Sequence, residues 1–275
     1  MIGLYINWDV DSEIINIGGF PVKYYGLLFA AGLLLSMAIL KKIYKKENLS
    51  DSAHEALFLY GIIGIFVGAR LGHCFFYDFD YYSKNIIEII LPIKKTITGA
   101  YKFVGFSGLA SHGGTVGLII SLYLYSKKYK IKYLKVLDLI AIVAPLGAAF
   151  IRLANLMNSE MIGNPTTMPW AFIFKRVDTI PRHPAQLYEA IAYFIIFLVL
   201  VIIYKTKNIT IGNGFYFGLA ITLIFTMRIL IEFVKIDQVA FEEGMKLNMG
   251  QILSIPFILI GLYFTMRKGQ KKGMI

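Results

Sequence analysis

The densest group of reactive side chains lies in Ile151-Arg152-Leu153-Ala154-Asn155-Leu156-Met157-Asn158-Ser159-Glu160-Met161-Ile162-Gly163. Read as a helix, this run puts Arg152, Asn155 and Ser159 on one face, at spacings of three and four. An apolar helix rarely ends in two amides, a carboxylate and an arginine without a polar cavity to face. The alternative is a plain helix C-terminus with solvated residues. Two further arginines, Arg70 and Arg228, interrupt apolar runs, and Glu232 follows Arg228 by one turn. An arginine in a membrane-crossing run costs roughly 2.5–3.5 kcal/mol on insertion scales, so each needs a reason. Structural reasons exist, because Arg228 and Glu232 stand at i, i+4 and can pair, and Arg152 can snorkel from a helix end. Taken together, three guanidiniums at one depth suit an anionic lipid headgroup, whose phosphate oxygens match the planar fork.

His112 stands in Ser111-His112-Gly113-Gly114. It is either a hydrogen-bonded structural residue or a proton acceptor, for which an imidazole is suited. Gly113 and Gly114 leave room for a backbone or a lipid to come close. A second polar cluster, Arg182-His183-Pro184-Ala185-Gln186-Leu187-Tyr188-Glu189, opens an apolar run, with Pro184 placed as a helix start. Other signals are weaker. Ser107 in Gly105-Phe106-Ser107-Gly108 resembles an intramembrane serine protease motif. Its distance of five residues from His112, at one helix start, does not suit a dyad that meets across helices. The four histidines give no stacked pair for haem, and the single Cys74 excludes a disulfide framework and a multi-cysteine metal site.

The elements that carry these residues are apolar. Of 275 residues, 57% are hydrophobic and 16% charged, and the mean hydropathy is +0.64. Soluble domains carry about 25% charged residues, so an ordinary water-facing surface is excluded. Seven runs have the length and character of bilayer spans: 24–40, 56–77, 103–126, 136–157, 185–204, 212–234 and 249–266. The fold expected is an all-α integral membrane protein with seven transmembrane helices, one polytopic domain over 1–275. No cleavable leader is evident in the acidic first 20 residues.

The net charge of +11 reads as a nucleic-acid footprint on a soluble protein and as loop orientation on an apolar one. Fifteen of the 28 basic residues fall in the short segments after the first, third, fifth and seventh runs, from Lys41 to Lys46, Lys127 to Lys135, Lys205 to Lys207 and Arg267 to Lys272. The positive-inside rule puts these in the cytoplasm and the N-terminus outside, which excludes nucleic acid as the partner. Segments 1–23, 78–102, 158–184 and 235–248 then lie outside and are expected to be irregular.

In order along the chain, these blocks resemble the prolipoprotein diacylglyceryl transferase family. They are Tyr24-Tyr25-Gly26, Gly68-Ala69-Arg70-Leu71-Gly72, His112-Gly113-Gly114, Arg-x-x-Asn-x-x-Asn-x-Glu-x-x-Gly from Arg152 to Gly163, Arg182-His183-Pro184 with Gln186 to Glu189, Arg228 with Glu232, and Gly250-Gln251-Ile252-Leu253-Ser254-Ile255-Pro256. The resemblance implies an enzyme of the bacterial inner membrane, active at the outer leaflet, without metal or cofactor. It would move the diacylglyceryl group of phosphatidylglycerol to the lipobox cysteine of a prolipoprotein signal peptide. It implies essential roles for Tyr25, His112, Asn155 and Gly163, and important ones for Arg152, Glu160, Arg228 and Glu232.

In that reading His112 is the candidate base, and Arg152 and Arg228 hold the phosphodiester. Asn155 and Tyr25 bond the headgroup, Glu160 and Glu232 orient the arginines, Gly163 shapes the backbone, and Gly113 and Arg70 border the lipid. Ile151 and Ala154 stand where the family usually has glycine, Leu156 where phenylalanine is common, and Ile224 where many members carry a tyrosine. A transporter for an anionic solute and a non-catalytic scaffold are the rival readings. The first predicts polar residues in both halves of the membrane, and the second gives no reason for the clusters.

Overall fold

A computed structural model describes residues 5–91, 93–96, 100–103, 108–207, 209–236 and 247–267. Ser107, most of segment 235–248 and Lys268, Lys271 and Lys272 lie outside the described residues. The described elements, in chain order, are strands β1 (Ile6–Trp8), β2 (Glu13–Ile17) and β3 (Phe20–Lys23), then helices α1 (Tyr24–Lys46), α2 (Asp51–Phe76), α3 (Phe79–Tyr82) and α4 (Ile87–Ile90). Strands β4 (Ile93–Lys95) and β5 (Tyr101–Phe103) precede α5 (Ser111–Lys128) and α6 (Tyr133–Met157). Strands β6 (Phe172–Phe174) and β7 (Pro181–Arg182) precede α7 (Ala185–Thr206), α8 (Phe215–Glu232) and α9 (Met249–Met266).

Six of the described helices, α1, α2, α6, α7, α8 and α9, are long and apolar enough to cross a membrane. The third apolar run forms α5, but α5 is not among the six. Its 18 residues include His112, three glycines, two serines besides the first and two terminal lysines, which dilute its aliphatic side chains. Three of the segments expected to be irregular, 1–23, 78–102 and 158–184, hold short strands. β1 pairs in parallel with β6, Ile6 opposite Phe172, and β7 pairs antiparallel with β6.

The chain divides into two compact units, Tyr44–Val136 and the remainder, Met1–Ile43 with Leu137–Ile275. In Tyr44–Val136, α2 packs on α5 through glycine. A Cβ on Gly68 would collide with the Gly113 carbonyl, and one on Gly117 with the Gly64 carbonyl. Small residues every fourth position let the two backbones approach, as in membrane helix pairs. Ser50 caps α2 by accepting the Ala53 N–H. Tyr125 donates to the Ala53 carbonyl at 3.0 Å and meets the Tyr44 hydroxyl at the same distance.

In the other unit, α8 starts at Gly214, whose φ of 83° favours glycine and offers no capping side chain. The cap comes from 76 residues away in sequence. Asp138 of α6, fully buried, accepts the N–H groups of Gly212 (2.7 Å), Gly214 (3.0 Å) and Phe217 (2.9 Å). α9 starts with a capping box, Asn248 and Gln251 each bonding the other's backbone N–H. The sheet of β1, β6 and β7 covers a small core of Leu156, Phe172 and Phe174, against which Trp8 packs. The Trp8 indole donates to the Leu156 carbonyl at 3.1 Å, fixing β1 to the end of α6. These contacts form a headpiece over the residues that follow α6.

Candidate active site

The Arg152 run leaves its helix by a sharp reversal. α6 ends at Met157, and Ser159 (φ 55°) and Met161 (φ 57°) adopt the left-handed conformation that side chains usually avoid. The turn is closed by the Ser159 N–H on the Leu156 carbonyl (3.0 Å) and the Glu160 N–H on the Asn155 carbonyl (2.9 Å). Glu160 therefore folds back beside Asn155. Arg152 donates to Asn155 Oδ1 (3.1 Å), and Asn155 Nδ2 donates to Glu160 Oε2 (3.1 Å). Asn158 Nδ2 donates to Glu160 Oε1 at 3.0 Å. The buried Asn155 amide is held in one orientation, because its oxygen faces a donor and its nitrogen an acceptor.

The second side of Arg152 meets Glu189, with Nε at 2.9 Å from Oε2. Glu189 is fully buried, one turn into α7. Its other oxygen accepts from Lys235 Nζ at 2.8 Å, and Lys235 reaches Glu232 Oε2 at 3.4 Å. The pairing expected at i, i+4 is thus replaced by one at i, i+3: Glu232 meets Lys235, not Arg228. The carboxylate of Glu232 also lies against the first turn of α9, where a Cβ on Gly250 would stand 2.9 Å from Oε1. Arg228 Nε is buried and has no hydrogen-bond partner among the described residues. Gln186 is fully buried with both amide atoms likewise unpartnered. A buried donor without an acceptor costs about 1–3 kcal/mol, which a ligand oxygen would recover.

Gly163 serves by close approach, not by a positive φ. Its N–H donates to the His183 carbonyl at 2.9 Å, and the next residue, Asn164, donates to the Val234 carbonyl at 2.8 Å. A Cβ on Gly163 would lie 2.5 Å from Val234 O, 2.6 Å from His183 Cβ and 2.7 Å from His183 O. The bridge from Gly163 to Lys235 sets the register of the lysine that meets Glu189. Nearby, Trp170 Nε1 donates to the Tyr188 hydroxyl (2.9 Å), which lies 3.1 Å from His183 Nδ1. Burial pushes the His183 imidazole below its usual value. Arg182 grips Asp178 at 2.6 Å and holds that carboxyl below the usual range. Tyr25 is half-buried in the first turn of α1.

In the Tyr44–Val136 unit, His112 is exposed in the first turn of α5. It borders a groove of about 1210 Å³ along α2 and α5, lined by Val67, Leu71, Phe75, Val116 and Ile120 among others. Gly113 forms part of its floor, where a Cβ would stand 2.8 Å from Gly72 Cα. Arg70 is buried, and its donors turn to protein atoms: the carbonyls of Ile89 (3.1 Å), Glu88 and Gly108 (3.4 Å). Its guanidinium carbon stands 4.8 Å from the centre of the Tyr82 ring. This geometry makes Arg70 a brace for the segment after α2. The Tyr81 hydroxyl donates to Glu88 at 2.7 Å, which pushes its pKa up to about 12.

Lys235 and Gln186 are the buried groups whose part the sequence does not reveal. Lys235 follows α8 by three residues and reads as one more exposed cation. Its spacing of three from Glu232 is the one sign of its pairing.

The prolipoprotein diacylglyceryl transferase family model matches residues 12–267. A Bacteroides fragilis protein named phosphatidylglycerol–prolipoprotein diacylglyceryl transferase is 53% identical over 271 residues, 98% of each chain. A protein of the same name from Tolumonas auensis is 39% identical over 97% of this chain and 98% of its own. One from Porphyromonas gingivalis is 41% identical over 96% and 94%. By the span of the family match and the identity to these relatives, the chain belongs to the prolipoprotein diacylglyceryl transferase family.

Proposed function

We propose that this protein transfers the diacylglyceryl group of phosphatidylglycerol to the lipobox cysteine of a prolipoprotein. The cysteine sulfur attacks the glycerol carbon that carries the phosphate. A C–S bond forms, the C–O bond breaks, and glycerol phosphate departs with the electron pair. The thiol proton must leave, because a free thiol titrates near about 8.5 and its thiolate is the nucleophile.

His112 takes that proton. Its exposure at the edge of an apolar groove leaves the imidazole open to a substrate, and the groove suits an acyl chain. Arg152 and Arg228 hold the phosphodiester and offset charge as the phosphate leaves. Asn155 and Tyr25 bond the headgroup, Glu160 fixes the Asn155 amide, and Glu232 with Glu189 fixes Lys235. Gly113 and Gly163 admit close packing, and Arg70 braces. The observation that carries the reading is Arg228 Nε, a buried guanidinium donor without an acceptor among the described residues, which matches a phosphate oxygen.

The protein spans the bacterial cytoplasmic membrane several times, its lysine-rich helix ends in the cytoplasm and its headpiece at the outer leaflet. Purified protein given phosphatidylglycerol and a lipobox peptide should add one diacylglyceryl unit to the peptide, read by mass. No added mass with wild-type protein overturns the reading, and a full-rate His112→Ala variant removes His112 from the proton transfer.

A further inference from the structure

The antiparallel hairpin of β2 and β3 stands apart from the core. All five residues of β2 are exposed, as are Pro21, Val22 and Lys23 of β3. The register pairs Ile15 with Val22 and Asn16 with Pro21. Strand side chains alternate, so Ile15, Ile17 and Val22 share one face, and Asn16 and Pro21 the other. Those three are 54%, 62% and 38% exposed. No charge occurs from Ile14 to Val22, while Glu13 and Lys23, partners in register, close the base. The turn holds itself without outside help, with Gly18 and Gly19 at positive φ and the Gly19 N–H on Asn16 Oδ1 at 3.0 Å.

A lone two-stranded hairpin is marginal in water, and one with an uncovered isoleucine face is an aggregation site. Something covers this face, and the chain's continuity says what. β3 runs without a break into α1, one of the helices able to cross a membrane. Four residues of β3, at about 3.4 Å each, keep the turn within about 14 Å of the start of α1. The depth is bounded too. Each strand of a two-stranded sheet leaves an unpaired edge, which the hydrocarbon interior does not tolerate and headgroup water satisfies.

We propose that this hairpin lies in the boundary between headgroups and acyl chains of the leaflet that α1 enters, with Ile15, Ile17 and Val22 toward the chains. The inference rests on the reading of α1 as a membrane span, and it adds an interfacial anchor to the unit that holds Arg152 and Arg228.

The test uses the full chain with Cys74→Ser, reconstituted in phosphatidylglycerol-containing vesicles. Single cysteines at Ile15, Ile17, Val22, Asn16 and, within α1, Leu34 carry an environment-sensitive fluorophore. Expected is quenching of 15, 17 and 22 by lipids spin-labelled near the headgroup, more than by lipids labelled deep in the chain. Asn16→Cys should instead respond to an aqueous quencher. Aqueous quenching of all four hairpin positions overturns the anchor, as does shielding from both quenchers, which would mean a protein partner. Leu34→Cys separates the two layers of the argument. Deep quenching there with none in the hairpin sinks the anchor alone. No lipid quenching at Leu34 sinks the span on which it rests.

Discussion

Lys235 Nζ stands 2.8 Å from Glu189 Oε1, and both residues are buried. The contact ties the chain just beyond α8 to the first turns of α7. Glu189 also meets Arg152. One carboxylate therefore sets the position of two cations, one of them in the run from Arg152 to Gly163. A buried carboxylate with a single cation would be held in one direction only. Here it is held from two sides, and Glu232 holds the lysine in turn.

Removal of Lys235 should therefore be felt as stability and as chemistry. Among the described residues, Lys235→Met leaves Glu189 with Arg152 alone and takes from Glu232 its ion-pair partner. Loss of one member of a buried ion pair costs about 3–5 kcal/mol. The unfolding midpoint in detergent should fall, and transfer activity with it. Lys235→Arg should recover most of both. Equal stability of the Met variant and the parent would refute the bridging role.

Much of this site is legible in the sequence, and the exceptions have physical causes. Arg152, Asn155 and Glu160 stand close in sequence, so helical spacing brings the first two to one face. The reversal at Ser159 and Met161 is not legible, because non-glycine residues carry the left-handed turn. Lys235 is hidden because its partner Glu189 is 46 residues away. The Asp138 cap of α8 is hidden for the same reason, since its backbone partners leave no side-chain pattern. The small sheet fails to show because β1 and β6 are three residues each and pair across 166 positions. Alternation over three residues is no signal. The shortfall of α5 as a span follows from His112, its serines and its two terminal lysines, while its glycines pack it against α2.

Gly163→Ala tests close approach directly. The new methyl would meet two backbone oxygens and a backbone-adjacent carbon, none of which can swing away. Overpacking of this kind costs about 1–3 kcal/mol. The strand-like bridge to Lys235 should open, lowering activity along with the unfolding midpoint. Gly147→Ala, in the middle of α6, is the control. Its Cβ would meet only the Ser36 hydroxyl, at 3.7 Å, so stability should hold or rise by about 0.5–1 kcal/mol. Similar losses in both variants would mean that an added methyl is costly wherever it is placed, and would remove the special role of the Gly163 seam.

Asp138→Ala strips the N-terminus of α8 of its acceptor and leaves the buried N–H of Gly214 and the half-buried N–H groups of Gly212 and Phe217 without it. Bonds to a charged partner contribute about 1.5–3 kcal/mol each, less than additively where they share one carboxylate. A loss of about 3 kcal/mol is expected from unfolding in detergent. Asp138→Asn should lose less, because its one amide oxygen still accepts. Because Asp138 lies at the far end of α6 from Arg152, variants that retain their fold should keep the Michaelis constant for lipid. A raised constant in Asp138→Asn would place the residue in substrate binding.

His183 carries a pH dependence whose sign follows from its bonds. Trp170 Nε1 can only donate, so the Tyr188 oxygen accepts from it, and the one hydroxyl proton is free for His183 Nδ1. Donation of that proton to Nδ1 favours a neutral imidazole with its own proton on Nε2. Burial favours the same neutral form, so the folded pKa lies below the unfolded value of 6.5. A depressed pKa means that the unfolded chain binds the proton more readily. The contribution of His183 to stability is then complete above about pH 6.5 and is lost as pH falls through the folded pKa. The His183 carbonyl also receives the Gly163 N–H, so strain at the ring reaches the seam that positions Lys235. The measurement is the unfolding midpoint between pH 7.5 and pH 5 for wild type and His183→Gln. Gln accepts from Tyr188 without titrating, and His54, His73 and His112 are common to both proteins. The wild-type midpoint should fall more steeply toward acid than that of the variant, and parallel curves would show that His183 stays neutral, or is indifferent to its charge, over that range.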